Sequence, residues 1–90
     1  MKFSFSYGNQ FQRDYKLAKK RGKDFQKLEA ILELLGEGEA LPAKFRDHEL
    51  RGEYRGFREC HVEPDWLLIY HKENLVIALT RMGSHSDLFG

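Results

Sequence analysis

The chain has 90 residues, a mass of 10.6 kDa and a formal net charge of +1. With 41% apolar and 32% charged residues it is globular rather than disordered, and its length allows one modest core, excluding a second domain or a broad multilayer scaffold. A single cysteine excludes an internal disulfide, the longest apolar run, Trp66 to Tyr70, is far short of the ~20 residues of a bilayer span, and MKFSFSYGNQ lacks the apolar segment of a signal peptide, so one soluble cytoplasmic domain over residues 1–90 is expected.

Lys2 to Tyr7 alternates, with Phe3, Phe5 and Tyr7 on one face, as in a half-buried strand. Gly8-Asn9 breaks it, and Asn9 is a suitable helix N-cap. Phe11, Tyr15 and Ala18 follow at helical spacing, and Gly22 supplies a C-terminal stop. Asp24 can cap a second helix whose apolar face is Phe25, Leu28, Ile31, Leu32 and Leu35, with Gly36 closing it. The link is so short that the two helices should form an antiparallel hairpin. Glu37 to Asp47 reads as a loop that leads through His48-Glu49-Leu50 to a turn at Arg51-Gly52.

Three strands are then expected, at Tyr54 to Glu63, Trp66 to His71 and Leu75 to Met82, separated by Pro64-Asp65 and Lys72-Glu73-Asn74. The second and third are apolar on both faces, which marks central strands covered above and below. In the first, Glu59, His61 and Glu63 share one face with Arg55 and Phe57, unless a bulge intervenes. The tail from Gly83 to Gly90 has no evident core role. The order is β-αα-βββ, an α+β fold with a helical hairpin on one face of a small, mainly antiparallel sheet.

Charge is unevenly spread. Arg13, Lys16, Lys19, Lys20, Arg21, Lys23 and Lys27 are opposed locally only by Asp14 and Asp24. Such a cluster is either a phosphate-binding footprint or a solvated helix face.

Of the four histidines, His71 ends a strand beside Lys72 and is assigned no role. If the meander closes normally, His61, Asp65, Arg81 and His85 gather at one rim of the sheet, and His48 joins them if its loop folds over. Two imidazoles and an arginine suit RNA cleavage by the substrate's own 2′-hydroxyl. One neutral group takes the 2′-OH proton, a protonated one supplies the departing 5′-oxygen, and a guanidinium matches phosphate oxygens. The competing use of His48, His61, Asp65 and His85 is as metal ligands. Neither HExxH nor CxxC spacing is present, and no metal or other cofactor is expected. Cys60 and His61, adjacent on a strand, point to opposite faces and should not form a dyad.

Two stretches carry a family likeness: DHELRGEYRGFRECHVEPDWLLIY, from Asp47 to Tyr70, and LTRMGSHSDLF, from Leu79 to Phe89. With the basic helical hairpin and opening strand, they make the whole chain resemble the YafQ branch of the RelE-like bacterial toxins of type II toxin–antitoxin modules. The resemblance implies a RelE-like fold and a ribosome-dependent endoribonuclease that cuts messenger RNA in the decoding site. It also implies a cognate antitoxin, through which alone the complex would meet promoter DNA. The family's active-site residues fall on His48, His61, Asp65 and His85, and its supporting and RNA-contacting positions on Trp66, Arg81 and Phe89. On that basis His85 is expected to be the general acid, with Asp65 and His61 on the base side. Arg81 would hold the scissile phosphate and Phe89 would stack on a base. Arg13, Lys16, Lys19, Lys20, Arg21 and Lys23 would grip ribosomal RNA, and no membrane is involved. The alternative is a non-enzymatic relative of the ParE type, which binds a protein target such as gyrase.

Overall fold

The computed structural model describes residues 2–90. Five strands, β1 (Ser4–Tyr7), β2 (His48–Glu49), β3 (Arg58–Glu63), β4 (Trp66–Glu73) and β5 (Val76–Gly83), form one sheet in the order β1-β5-β4-β3-β2. Only β1 and β5 run parallel. Helices α1 (Asn9–Lys20) and α2 (Phe25–Glu37) cover one face, and a short α3 (His85–Phe89) follows β5. No helix among the described residues is long and apolar enough to cross a membrane.

The expected α+β arrangement holds, with local corrections. Gly8, not Asn9, is the α1 N-cap, and no side chain caps that end. Asp24 does cap α2, accepting from the Gln26 N–H at 3.0 Å. Gly36 does not end α2. It is buried inside the helix, and its carbonyl accepts from the N–H groups of Lys2 and Phe3. Gly38 closes the helix instead, at φ 75°, a left-handed conformation that costs glycine nothing. Residues 54–57 are not strand: a 3-10 turn over Gly52–Tyr54 and a positive φ at Gly56 delay β3 to Arg58.

The sheet is buried on both faces at its centre, as the double apolar pattern of β4 and β5 predicts. On the helix side, Cys60, Trp66, Leu68, Tyr70, Ile77, Leu79 and Met82 pack against Phe11, Ala18, Leu28, Ile31 and Leu35. On the other side, Leu67 and Ile69 are covered by Leu50, Tyr54, Phe57 and Leu88. The tail, expected to lie outside the core, therefore closes the second face through Leu88. A bulge sets the parity of β5. Ile69 pairs with Arg81 but Tyr70 with Leu79, so Thr80 is an extra residue. Strict alternation would place Arg81 with Ile77 and Leu79; the bulge brings Met82 into that core instead.

Candidate active site

The site lies at the ends of β3 and β5 and the start of β4, where α3 begins. A capping box at Ser84 starts α3. The Asp87 N–H donates to Ser84 Oγ at 3.0 Å, and the Ser84 N–H donates to Asp87 Oδ2 at 2.9 Å. Gly83 makes this possible, because a Cβ there would sit 2.9 Å from Asp87. Arg21, at the end of α1, adds a forked pair to Asp87 at 2.6 and 3.3 Å, and these donors hold the Asp87 carboxyl below the usual range. His85 is thereby fixed as the first residue of α3.

Asp65, in the turn between β3 and β4, meets it there. One oxygen, Oδ1, accepts from the His85 N–H at 2.9 Å and from His85 Nδ1 at 2.8 Å. The backbone bond, then the ring bond, lowers the Asp65 pKa. Asp65 is thus an orienting acceptor for His85 and a weakened base. The same hydrogen bonds that orient His85 lower the carboxylate's affinity for a proton, which bears against the expected base role of Asp65 without deciding it.

His61 approaches from β3, its ring centroid 5.8 Å from that of His85. Its Nδ1 lies 3.3 Å from the Pro64 carbonyl and its Nε2 3.7 Å from Glu59 Oε1. His48 completes the row, 6.3 Å from His61. It reaches the site because His48-Glu49 forms a strand rather than a loop, with His48 opposite Glu59. Its Nδ1 is 2.6 Å from the Arg46 carbonyl, and its Nε2 is 3.4 Å from Glu59 Oε1. All three imidazoles thus place Nδ1 beside an oxygen acceptor, and the Nε2 atoms of His48 and His61 both face Glu59 Oε1.

Glu59 was missed as a site residue, although its position two before His61 placed it on the same face. It is 4% exposed. Its Oε1 lies between His48 and His61, and its Oε2 is buried without a hydrogen-bond partner. Glu59, His61 and His85 each bring a possible ligand atom to within 4.8 Å of the others. The spacing argument against a metal excluded only local motifs, whereas this set is assembled by the fold from a carboxylate and two imidazoles.

The remaining expected residues divide. Phe89 is 50% exposed, 6.5 Å from the His85 ring and edge-on to Tyr54 at 5.9 Å, so it offers a free face. Arg81 is committed to Asp14 on α1, donating from Nε at 2.8 Å and Nη2 at 3.4 Å. Those hydrogen bonds raise its pKa. No hydrogen bond or ion pair joins it to His61, Asp65 or His85 among the described residues. Trp66 is 1% exposed and packs edge-on against Phe25. It is therefore a core residue beneath the site, and its expected contact with RNA is corrected to one of support.

The basic segment is similarly mixed. Arg13, Lys16, Lys19 and Lys20 are exposed on α1. Arg21 is engaged by Asp87, and Lys23 lies 3.8 Å from Glu63 and over the Trp66 ring. These two cations hold the site's own framework, which the charge pattern could not distinguish from a phosphate grip. His71 takes no part and stacks on Phe57 at 4.8 Å. Cys60 is buried, and desolvation pushes its thiol pKa up, away from nucleophilic use.

Comparison with known proteins places this geometry in context. A family profile described as "Bacterial toxin of type II toxin-antitoxin system, YafQ" matches residues 3–90. The mRNA interferase toxin YafQ of Escherichia coli is 45% identical over 85 residues, covering 93% of this chain and 92% of that protein. In the crystal structure of the E. coli DinJ-YafQ complex, the matching chain is 43% identical with a TM-score of 0.89, covering 98% of this chain and 99% of that one. A copper-bound mutant toxin from Helicobacter pylori is 36% identical with a TM-score of 0.93, covering 97% of this chain and 99% of that one.

Proposed function

The chain belongs to the YafQ family of type II toxin–antitoxin toxins, and from that premise we propose that it is an endoribonuclease, an mRNA interferase that cuts translated messages on the ribosome by general acid–base catalysis. The observation that carries the proposal is the convergence of His61 and His85, 5.8 Å apart, each with Nδ1 directed to an oxygen acceptor.

The substrate supplies the nucleophile. The 2′-oxygen attacks the adjacent phosphorus, the bond to the 5′-oxygen breaks, and a 2′,3′-cyclic phosphate and a 5′-hydroxyl result. His61 takes the 2′-OH proton, and Glu59 Oε1, 3.7 Å from its Nε2, stabilises the imidazolium that forms. His85, held by Asp65, delivers a proton from Nε2 to the departing 5′-oxygen. The two rings, 5.8 Å apart, are close enough for both to serve oxygens of a single phosphodiester. Arg81 lies on the flank, and its guanidinium is the candidate for the nonbridging oxygens once substrate competes with Asp14. Phe89 stacks on a base, a contact typically worth ~1–3 kcal/mol. Arg13, Lys16, Lys19 and Lys20 are the cations left free to meet ribosomal RNA. A cognate antitoxin would neutralise the toxin, as the DinJ-YafQ complex of the relative suggests.

The test is primer extension on translated messages in cells that express the wild type or His85→Gln. Cuts in codon register are expected with the wild type, and a loss of 10²-fold or more with the variant, the usual contribution of one acid–base group. Growth arrest with unbroken messages would refute the nuclease and favour a ParE-type mode.

A second use of the same residues is suggested by their geometry. Glu59, His61 and His85 could hold a late first-row transition-metal ion, since a carboxylate and two imidazoles suit zinc or copper. Such an ion would supply Lewis acidity while occupying nitrogens needed for proton transfer. Metal independence predicts full cleavage in chelator and inhibition by added copper or zinc.

A further inference from the structure

Beside the catalytic row lies a groove of about 560 Å³ that the proton-transfer chemistry does not use. That volume falls within the roughly 300–1,000 Å³ of small-ligand sites. Its lining includes Lys27, Lys44, Phe45, Arg46 and His61, together with the carboxylate Glu63 that neutralises Lys27. It follows the outer edge of β3. There β2 pairs with Arg58 and Glu59, and among the described residues, 60–63 have no strand neighbour on that side.

Two features distinguish the groove from a passive cleft. Lys44 and Arg46 make no ion pair among the described residues; Lys44 lies over the Phe45 ring at 5.1 Å, and only the backbone of Arg46 is hydrogen-bonded. By contrast, Lys27 is neutralised by Glu63 at 2.9 Å. Arg46 also has a left-handed backbone, φ 51° and ψ 43°, which is costly for any residue with a Cβ and is usually left to glycine or asparagine. The same residue gives its carbonyl to His48 Nδ1. Its backbone therefore meets His48 while the exposed residue itself lines the groove.

We propose that this groove is a nucleotide subsite for the RNA strand flanking the cut. Lys44 and Arg46 hold one or two backbone phosphates, and Phe45 forms the apolar floor beneath a base. The message then crosses the row of imidazoles with an aromatic ring at each end, Phe45 and Phe89. This assignment rests on the nuclease function proposed above. It adds strand placement and affinity, while proton transfer stays with the histidines.

Lys44→Gln with Arg46→Asn removes both cations, and asparagine tolerates the left-handed backbone. Cleavage on message-programmed ribosomes, run as a salt series, should need about tenfold more toxin for half-maximal rate. Two lost phosphate contacts should also flatten the log–log salt dependence by about 1.4, from ~0.7 per contact with single strands. Independently, titration of the wild type with a short 2′-O-methyl oligoribonucleotide should shift the amide resonances of Phe45, Val62 and Lys27. An unchanged half-maximal concentration and salt slope would overturn the subsite. So would resonance shifts confined to α1, or a variant normal toward RNA and weakened only toward its antitoxin. If the wild type cut no message, the nuclease function would fall and the oligonucleotide titration alone would decide the groove.

Discussion

Replacing Asp14 tests how the helical layer positions the catalytic rim. Asp14 is buried on α1, 8% exposed, and accepts from Arg81 Nε at 2.8 Å and from the Met82 N–H at 2.9 Å. Hydrogen bonds to charged groups contribute about 1.5–3 kcal/mol each. The lower end applies here because Arg81 keeps some solvent contact. Asp14→Ala should therefore cost about 3 kcal/mol, a large fraction of the roughly 5–15 kcal/mol that stabilises a domain. For a domain of this size that lowers the melting temperature by roughly 12–24 °C. Asp14→Asn keeps an acceptor for Met82 and loses only the charge, so about half the cost is expected. Thermal unfolding of both variants, of Arg81→Met, and of Asp14→Ala combined with Arg81→Met completes a double-mutant cycle. If the carboxylate and guanidinium act as a pair, the double variant should be at least about 1 kcal/mol more stable than additivity predicts. Additive costs, or Asp14→Ala within about 1 kcal/mol of wild type, would refute the claim that Asp14 holds the β5 end of the site.

Two aromatic residues beside the site should separate cleanly: Trp66→Ala should destabilise by about 3–5 kcal/mol as a core truncation, whereas Phe89→Ala should leave the melting temperature nearly unchanged and reduce cleavage. Asp87→Ala removes the α3 capping box and the partner of Arg21, so cleavage should fall at least tenfold with only a few degrees' change in melting temperature, and Asp87→Asn, which keeps the acceptor, should restore most of it. Burial, then the hydrogen bond to Asp47, raises the Tyr70 phenol pKa above its usual value. The folded pKa thus exceeds the unfolded one, so this stabilisation is complete below about pH 10 and is lost as pH rises beyond it. Tyr70→Phe should cost about 1 kcal/mol at neutral pH and make alkaline unfolding less steep.

Much of the architecture was legible because it rests on short-range pattern. Phe11, Tyr15 and Ala18 at helical spacing, Asp24 as a cap, and the doubly apolar β4 and β5 each state a local preference that the packed fold satisfies. The missing pieces are those whose stability is tertiary. His48-Glu49 is too short to declare itself a strand and exists through pairing with Arg58 and Glu59. The tail becomes α3 because Ser84 and Asp87 cap it and Leu88 finds cover on Leu67 and Ile69. The extra residue at Thr80 leaves no mark in the hydrophobic pattern until Met82 is seen in the helix-side core.

The candidate site shows the same division, and it explains why residue types were easier to find than roles. An antiparallel meander brings the end of its third strand back to the turn between its first two, so the approach of His61, Asp65 and His85 followed from topology. Roles depend on which atom faces which. Asp65 stands near both histidines in the fold, but Oδ1 receives the N–H and Nδ1 of the same residue, His85. That makes it the fixed partner of one imidazole and leaves His61 to the buried carboxylate of Glu59. Likewise, a run of cations does not record which members are already neutralised. Arg21 meets Asp87, sixty-six residues away, while Lys44 and Arg46, outside the basic cluster, form no ion pair among the described residues and line the groove that His61 also lines. Local charge density therefore pointed to α1, whereas Lys44 and Arg46 line a groove together with His61. Where net charge is close to zero, the cations available to a polyanion are those the fold leaves without a carboxylate, and that selection is made by long-range contacts.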